Sequence, residues 1–514
     1  MRARGFRNRP LLCAGAAALA LAGARPAPAQ EAARMDSIER QIRALQSELN
    51  RLRRESAARD AESRTAREDA ARARAETRET QRRLDTAPPS RPPEPPPAEQ
   101  VRLGFPSGRP TVGSGDGRFQ AFLGGQIQFD VGGNIRGEPG TPDNRGVQDL
   151  DAFGQNLRRG RLFFGFKYDD VQVNVTPDFG GSPDGTPTLY EANFNWSPVR
   201  PLTLTLGYYK PYITLQDSMS SNDFLMLERP SITEIARNVA AGDARASAGG
   251  RWAERRWFAS GYLTGDTYGS DSDAQATRGQ TGFVGRVAGR PYTDPDTDVH
   301  LGFSGSYAFD IRRQANGQSL QLRDRPEFRI DQQRLIDTGA LPAYSAHTWG
   351  PEFGVRWRNF LLQGEYIRIG VEQADAAAAA RPDLAFDGGY VEGSWVITGE
   401  QRRYSTSSAA FARPNPARPF SFRERGWGAW ELAARYSVAD LNDRLVRGVS
   451  QAATGGAYGG KQEVIGTSLS WYPNNHLRFV LNWNIVNVDR VDPAGTTQIG
   501  QRFHTIGLRS QLAF

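Results

Sequence analysis

Cysteine is almost absent. The single one, Cys13, lies ahead of the small-residue stretch Ala27-Pro28-Ala29, which reads as a cleavage site, so the processed chain keeps none. Disulfide frameworks, thiolate zinc sites and thiol nucleophiles are excluded on that ground. Histidine is nearly as scarce: His300, His347, His476 and His504 are scattered without metal-ligand spacing, so no metal or other cofactor is expected. Lysine occurs only at Lys167, Lys210 and Lys461 among 64 basic residues, so arginine abundance by itself marks no site in this chain. Removing Arg2, Arg4, Arg7, Arg9 and Arg25 with the leader lowers the formal charge from +7 to +2, which argues against a nucleic-acid partner. No stretch offers the roughly 20 consecutive apolar residues of a membrane helix. If the chain enters a membrane, it does so with strands.

Residues 1–29 have the form of a secretory signal peptide, with a basic start, an apolar run from Leu11 to Ala22 and a small-residue end. Leu11-Leu12 ahead of Cys13 does not suit a lipoprotein site, where a small residue precedes the Cys. From Met35 the apolar residues Met35, Ile38, Ile42, Leu45, Leu49 and Leu52 alternate steps of three and four, the a/d seam of a coiled coil. Further on, the seam weakens to Ser56, Arg59, Ser63, Ala66, Ala70 and Ala73. The reading is a periplasmic α-helical coiled coil over 30–86, with a single amphipathic helix docked elsewhere as the alternative. Ala87 to Pro97, rich in proline, then forms an extended spacer within a linker, 87–117. Residues 30–100 hold 15 Arg and 14 acids, a solvated helical surface that needs no ligand.

From 118 to the end the period is two. Phe119, Ala121, Leu123, Gly125, Ile127, Phe129 and Val131 alternate with Gln120, Phe122, Gly124, Gln126, Gln128 and Asp130, and similar runs recur at 161–168, 189–196, 202–208, 299–309 and 477–485. A soluble sandwich also alternates, but its rich face is a packed Val/Ile/Leu core. Here aromatics crowd the apolar face near strand ends while the other face is polar or Gly, as in a membrane barrel. Tight joins at 169–170, 198–201, 358–359 and 473–475 alternate with long polar stretches at 210–246, 310–347, 400–425 and 440–460, read as loops on the opposite side. About 400 residues at roughly 25 per strand and connection predict an all-β transmembrane barrel of about 16 antiparallel strands, with 14 or 18 also compatible. The last strand, with Ile506, Leu508, Leu512 and the terminal Phe514 on one face, is the type that barrel-assembly machinery reads.

Several segments taken in order carry a family resemblance. They are Phe122 to Gln128, Leu157-Arg158-Arg159-Gly160-Arg161-Leu162-Phe163, Gly207-Tyr208-Tyr209-Lys210-Pro211, Thr398-Gly399-Glu400-Gln401-Arg402, and Gly428-Ala429-Trp430-Glu431-Leu432. The chain resembles the phosphate-selective porin O and P family of Gram-negative outer membranes across 118–514. That resemblance implies a homotrimer embedded in outer-membrane lipid and lipopolysaccharide, with a constriction loop and passive diffusion of small anions such as phosphate. Carried over residue by residue, the channel-lining, anion-guiding set is Arg158, Arg159, Arg161, Lys167, Arg229 and Arg402. Alternation places Arg159, Arg161 and Lys167 on the lumenal side, and Arg158 toward lipid unless it lies at the strand's start or the strand bulges there. Gln126 stands where the family usually has Arg. Residues 101–514 hold 44 basic and 43 acidic residues, so anion preference would have to come from where charges sit. Arginines paired with lumenal acids such as Glu191 are the alternative.

Other chemistry leaves little trace. No catalytic spacing appears, so the reading is a channel and not an enzyme, with a hydrolase built into the barrel wall as the remaining enzymatic alternative. The acidic piece Gly265 to Asp273 reads as a solvated loop, with Ca²⁺ binding as the alternative. A general or non-phosphate solute porin, or a barrel-anchored envelope tether, stay open beside the anion channel.

Overall fold

A computed structural model describes residues 100–514 apart from 137–149, 151–152, 182–185, 243, 267–279, 312, 315–316 and 375–380, together with helical pieces between 43 and 79. The signal peptide, much of the stalk, the proline run and most of the acidic piece at 265–273 lie outside these residues. Within the stalk the described pieces, including 46–51, 53–57 and 68–79, are α-helical.

The period-two pattern forms sixteen long strands. They are β1 (Phe119–Arg136), β2 (Gly154–Tyr168), β3 (Val171–Asp178), β4 (Thr188–Trp196), β5 (Leu202–Tyr209), β6 (Arg245–Ala253), β7 (Trp257–Thr264) and β8 (Thr281–Thr293) in the first half. The second half adds β9 (Thr297–Asp310), β10 (Leu341–Trp357), β11 (Phe360–Gln373), β12 (Leu384–Val396), β13 (Ala429–Asp443), β14 (Ala457–Tyr472), β15 (Leu477–Asp489) and β16 (Arg502–Ala513). Each pairs antiparallel with its neighbour, and β16 returns to β1 from His504↔Ile135 to Ala513↔Gln126, so the sheet closes on itself. Phe514 completes the seam: its backbone exchanges hydrogen bonds with Gly125 at 3.0 and 3.1 Å. A closed barrel has no unpaired edge, which is what a strand protein needs in lipid. Ahead of it the hairpin Val101–Gly104/Thr111–Ser114 pairs onto the start of β1 through Thr111↔Phe122, so the sheet begins inside the stretch read as linker.

Two-residue turns at Asp169-Asp170 and Arg358-Asn359 place Asp169 and Arg358 at φ of 50° and 52°. These turns share one end of the barrel with 197–201, 254–256, 294–296 and 473–476. An aromatic girdle marks the same end: Trp357, Phe360 and Trp395 stack with centroids 6.1 and 6.0 Å apart, and Trp430, Trp471 and Phe479 at 5.7 and 5.6 Å. One expectation is corrected here. The long stretch 397–428 joins β12 to β13 at this tight-turn end, not among the long loops opposite.

The interior also departs from a uniformly polar wall. Along β15 the outward residues Leu481 and Trp483 give way to exposed Asn487 and Asp489, while the inward ones change from Arg478, Asn482 and Asn484 to buried Val486 and Val488. β11 switches likewise, from inward Gln363 and Glu365 to Ile367, Ile369 and Val371, with Arg368 and Glu372 outside. Polarity inverts because the strands outrun the lipid: outside they meet water, and inside they meet protein. The inward apolar residues pack on Ile232, Ile235, Ala236 and Val239 of a helix, α2 (Ser231–Ala240), which belongs to the stretch between β5 and β6.

Candidate functional site

Three connecting segments enter the lumen: 210–244, 311–340 and 397–428. The first carries a short helix, α1 (Leu215–Ser218), and then α2. Its start is pinned by Glu365 of β11, whose carboxylate accepts from Leu215 N at 2.5 Å, Gln216 N at 3.0 Å and the Tyr390 hydroxyl at 2.8 Å. Asp217 in α1 binds the Arg237 Nε at 2.6 Å and lies 3.3 Å from Arg229 and 3.8 Å from Lys210. Between the helices, residues 222–228 lie across β13–β16, which cap their carbonyls. Arg478 donates to Asn222 and Phe224 at 3.2 and 2.7 Å, Ser468 to Leu225 at 2.6 Å, Arg509 to Leu227 at 2.6 Å and Arg435 to Glu228 at 3.0 Å. Many wall arginines therefore hold loop backbone in place of solute.

The segment 397–428 enters from the tight-turn end. Tyr404 OH lies 2.8 Å from Nδ1 of His300, whose Nε2 is 3.0 Å from the Glu352 carboxylate. Arg286 bridges that carboxylate, at 2.7 Å, to the carbonyls of Ser408 and Ala409 at 2.7 and 2.8 Å. All these groups are wholly or largely buried, so each charge requires its partner.

The arginines singled out from sequence divide into two sets. Arg158 is the extra residue of a β-bulge: Gln128 pairs with Arg159 and Phe129 with Leu157, so Arg158 turns inward. Its guanidinium makes a two-pronged bond to Glu228 at 2.7 and 2.9 Å. Burial alone would raise the Glu228 carboxyl, but Arg158, Arg509 and Arg329 hold it well below the ordinary range. Arg402 is likewise buried and two-pronged on Glu431 at 2.6 and 3.0 Å. Arg159 is different. Among the described residues no carboxylate pairs with it; one Nη donates to Gln128 at 2.5 Å, and its buried Nε has no partner. Arg161 pairs with Asp178 at 2.6 Å and lies over the Tyr190 ring, its Cζ 3.5 Å from the centroid. Arg229 binds Asp217 and Glu234, and its Nε is also without a partner.

Arg159, Arg161 and Arg229 line one cavity of about 950 Å³ together with Arg109, Lys210, Arg403 and Arg413. Among the described residues, Glu191 is the one acidic side chain on that lining. A second cavity, about 740 Å³, shares Tyr190, Glu191 and Lys210 with the first and reaches Lys167, Asp169, Asp170, Asn193, Asn195 and Arg251 against β2–β7. Sequence reasoning missed Arg109, Arg403 and Arg413. Arg109 sits in the supposed linker, and the other two follow Thr398-Gly399-Glu400 on a stretch assigned to the wrong end. Its one available signal was continuity with Arg402.

The family description "phosphate-selective porin O and P" matches residues 123–514. The chain belongs to that family. Among its relatives, Porin O of Pseudomonas aeruginosa is 23% identical over 411 residues, covering 77% of this porin and 89% of the relative. An uncharacterized protein of Caulobacter vibrioides is 26% identical over 420 residues, covering 79% and 76%. Among solved structures, the anion-selective porin from Comamonas acidovorans aligns over 77% of this porin and 100% of its own chain, at 12% identity and a TM-score of 0.44. The porin is thus an outer-membrane channel with a closed sixteen-strand wall.

Proposed function

We propose that this porin passes small hydrophilic anions by diffusion, works as a homotrimer, and carries its helical stalk in the periplasm. The observation that supports anion passage is the lining of the larger cavity, where among the described residues seven cationic side chains and one acidic one, Glu191, face the space, with Asp178, Asp217, Asp223 and Glu234 paired to four of the cations from behind the lining. The barrel region as a whole is nearly neutral, so this is a local excess. A low-dielectric wall focuses such a field on whatever ion crosses it. Arg159 would contribute most, since its charge has no carboxylate partner, with Arg161, Arg229 and Lys167 along the same route. Arg158 and Arg402 serve by fixing the loops that shape the route. Phosphate belongs to the anions that fit this lining, as a member of the class. The test is the zero-current potential of the full-length protein in planar bilayers under a KCl gradient. Chloride preference supports the reading, and potassium preference refutes it.

A further inference from the structure

The cationic cavity also has an apolar side, which a channel for inorganic anions does not need. Phe122 on β1 and Phe163 on β2 both point into the lumen. Each lies opposite a glycine of the neighbouring strand, Phe122↔Gly165 and Gly124↔Phe163. A Cβ on Gly165 would fall within 2.0 Å of the Phe122 ring, so Phe122 occupies the space that glycine leaves, whereas one on Gly124 would meet the Phe514 carbonyl at 2.9 Å and Phe163 only in ordinary contact at 3.4 Å. Such cover explains one face of the Phe122 ring. It explains neither the other face nor the Phe163 ring, because both side chains stay only half-buried and line the cavity beside Arg159 and Arg161. Tyr190 continues the stripe with Arg161 over its ring, and Arg109 lies over Phe122, 5.9 Å from its centroid. Two phenylalanines and a tyrosine exposed to lumenal water within a ring of cations give one surface for a carboxylate and another for an apolar, flat body.

We propose that the cavity selects planar aromatic carboxylates over inorganic anions, Arg159 receiving the carboxylate and the Phe122–Phe163–Tyr190 stripe receiving the ring. The proposal rests on the anion reading above and narrows its substrate class. A hydrated inorganic anion gains nothing from the stripe, whereas an aromatic ring leaves water on contact with it.

The experiment measures block of the KCl current through the full-length protein by potassium benzoate, with potassium acetate and potassium phosphate as comparisons. Benzoate is expected to halve the chloride current at a concentration about fivefold to tenfold below acetate, the gain of one aromatic contact. In Phe122→Ser/Phe163→Asn the benzoate advantage over acetate should vanish while chloride preference in KCl persists. Phe163→Leu, which keeps an apolar side chain but not the flat ring, should lose part of it. Chloride preference with benzoate and acetate equally weak in the wild type overturns this proposal alone. Potassium preference in KCl overturns the anion reading and this proposal with it.

Discussion

Arg159 sits among like charges. Arg158, Arg161 and Arg509 surround it, yet the nearest acids are engaged elsewhere: Glu228 by Arg158 and Arg509, Asp178 by Arg161, and Asp130 by Arg509 at 2.7 Å. A unit charge about 6 Å from a passing anion changes its energy by about 0.7 kcal/mol at the dielectric of water and about 3 kcal/mol at an effective value near 20. Arg159→Gln is therefore expected to lower the chloride-to-potassium permeability ratio at least about threefold, read as a shift in reversal potential. Arg402→Gln should instead destabilise, because it strands the buried Glu431 carboxylate. The alternation of β2 made Arg159, Arg161 and Lys167 legible in the sequence, and the bulge that turns Arg158 inward stood there as the condition for its doing so. The pairing was not legible. Asp178 and Glu228 become partners only through a register and a long loop, neither of which leaves a local pattern.

Wall side chains hold the loops at several points, and the start of one depends on a single carboxylate. Glu365 fixes the start of the 210–244 segment through two backbone N–H groups. Glu365→Ala leaves both without that acceptor at about 1–3 kcal/mol each, so conductance noise and protease cleavage within 210–244 should both rise. The 311–340 segment carries a pH dependence. Burial pushes the Asp324 carboxyl from its ordinary 3.8 up to about 7, Arg329 opposes the shift and Glu234 adds to it. A carboxyl raised in the folded state favours packing that is full below about pH 4 and weakens as the pH rises to about 7. Cleavage of 311–340 by added protease should thus be faster at pH 8 than at pH 5, and Asp324→Asn should flatten that slope. Connection length misassigned one element. A long, polar, Pro-containing stretch such as 400–425 looks the same at either end of a barrel, and only counting strands in order settles which end it leaves from.

At the scale of the whole molecule, closure followed from the period of two, because strands in lipid have few other solutions, and chain length set the strand number near sixteen while leaving 14 and 18 open. The change of polarity along β11 and β15 was written in the sequence but masked, since the period of two continues while the apolar residues change sides. It yields a paired prediction. Leu481→Arg, in the outward apolar band, should cost about 2–4 kcal/mol of unfolding stability, and Asn487→Arg, six residues further along the same face, close to none. Urea unfolding in lipid vesicles separates the two. The strands also differ in height. β3 to β7 have eight or nine residues each, whereas β10 has 17 and β14 has 16. At about 3.3 Å per residue and a tilt near 40°, the short strands raise a wall of about 20 Å and the long ones about 40 Å. The cavity of about 740 Å³ lies along the low side, while that of about 950 Å³ is lined mainly from β1, β2, the end of β16 and the connecting segments. The electrical resistance of a water column grows with its length, so an ion leaving past the low rim has a shorter walled path than one leaving past the tall rim.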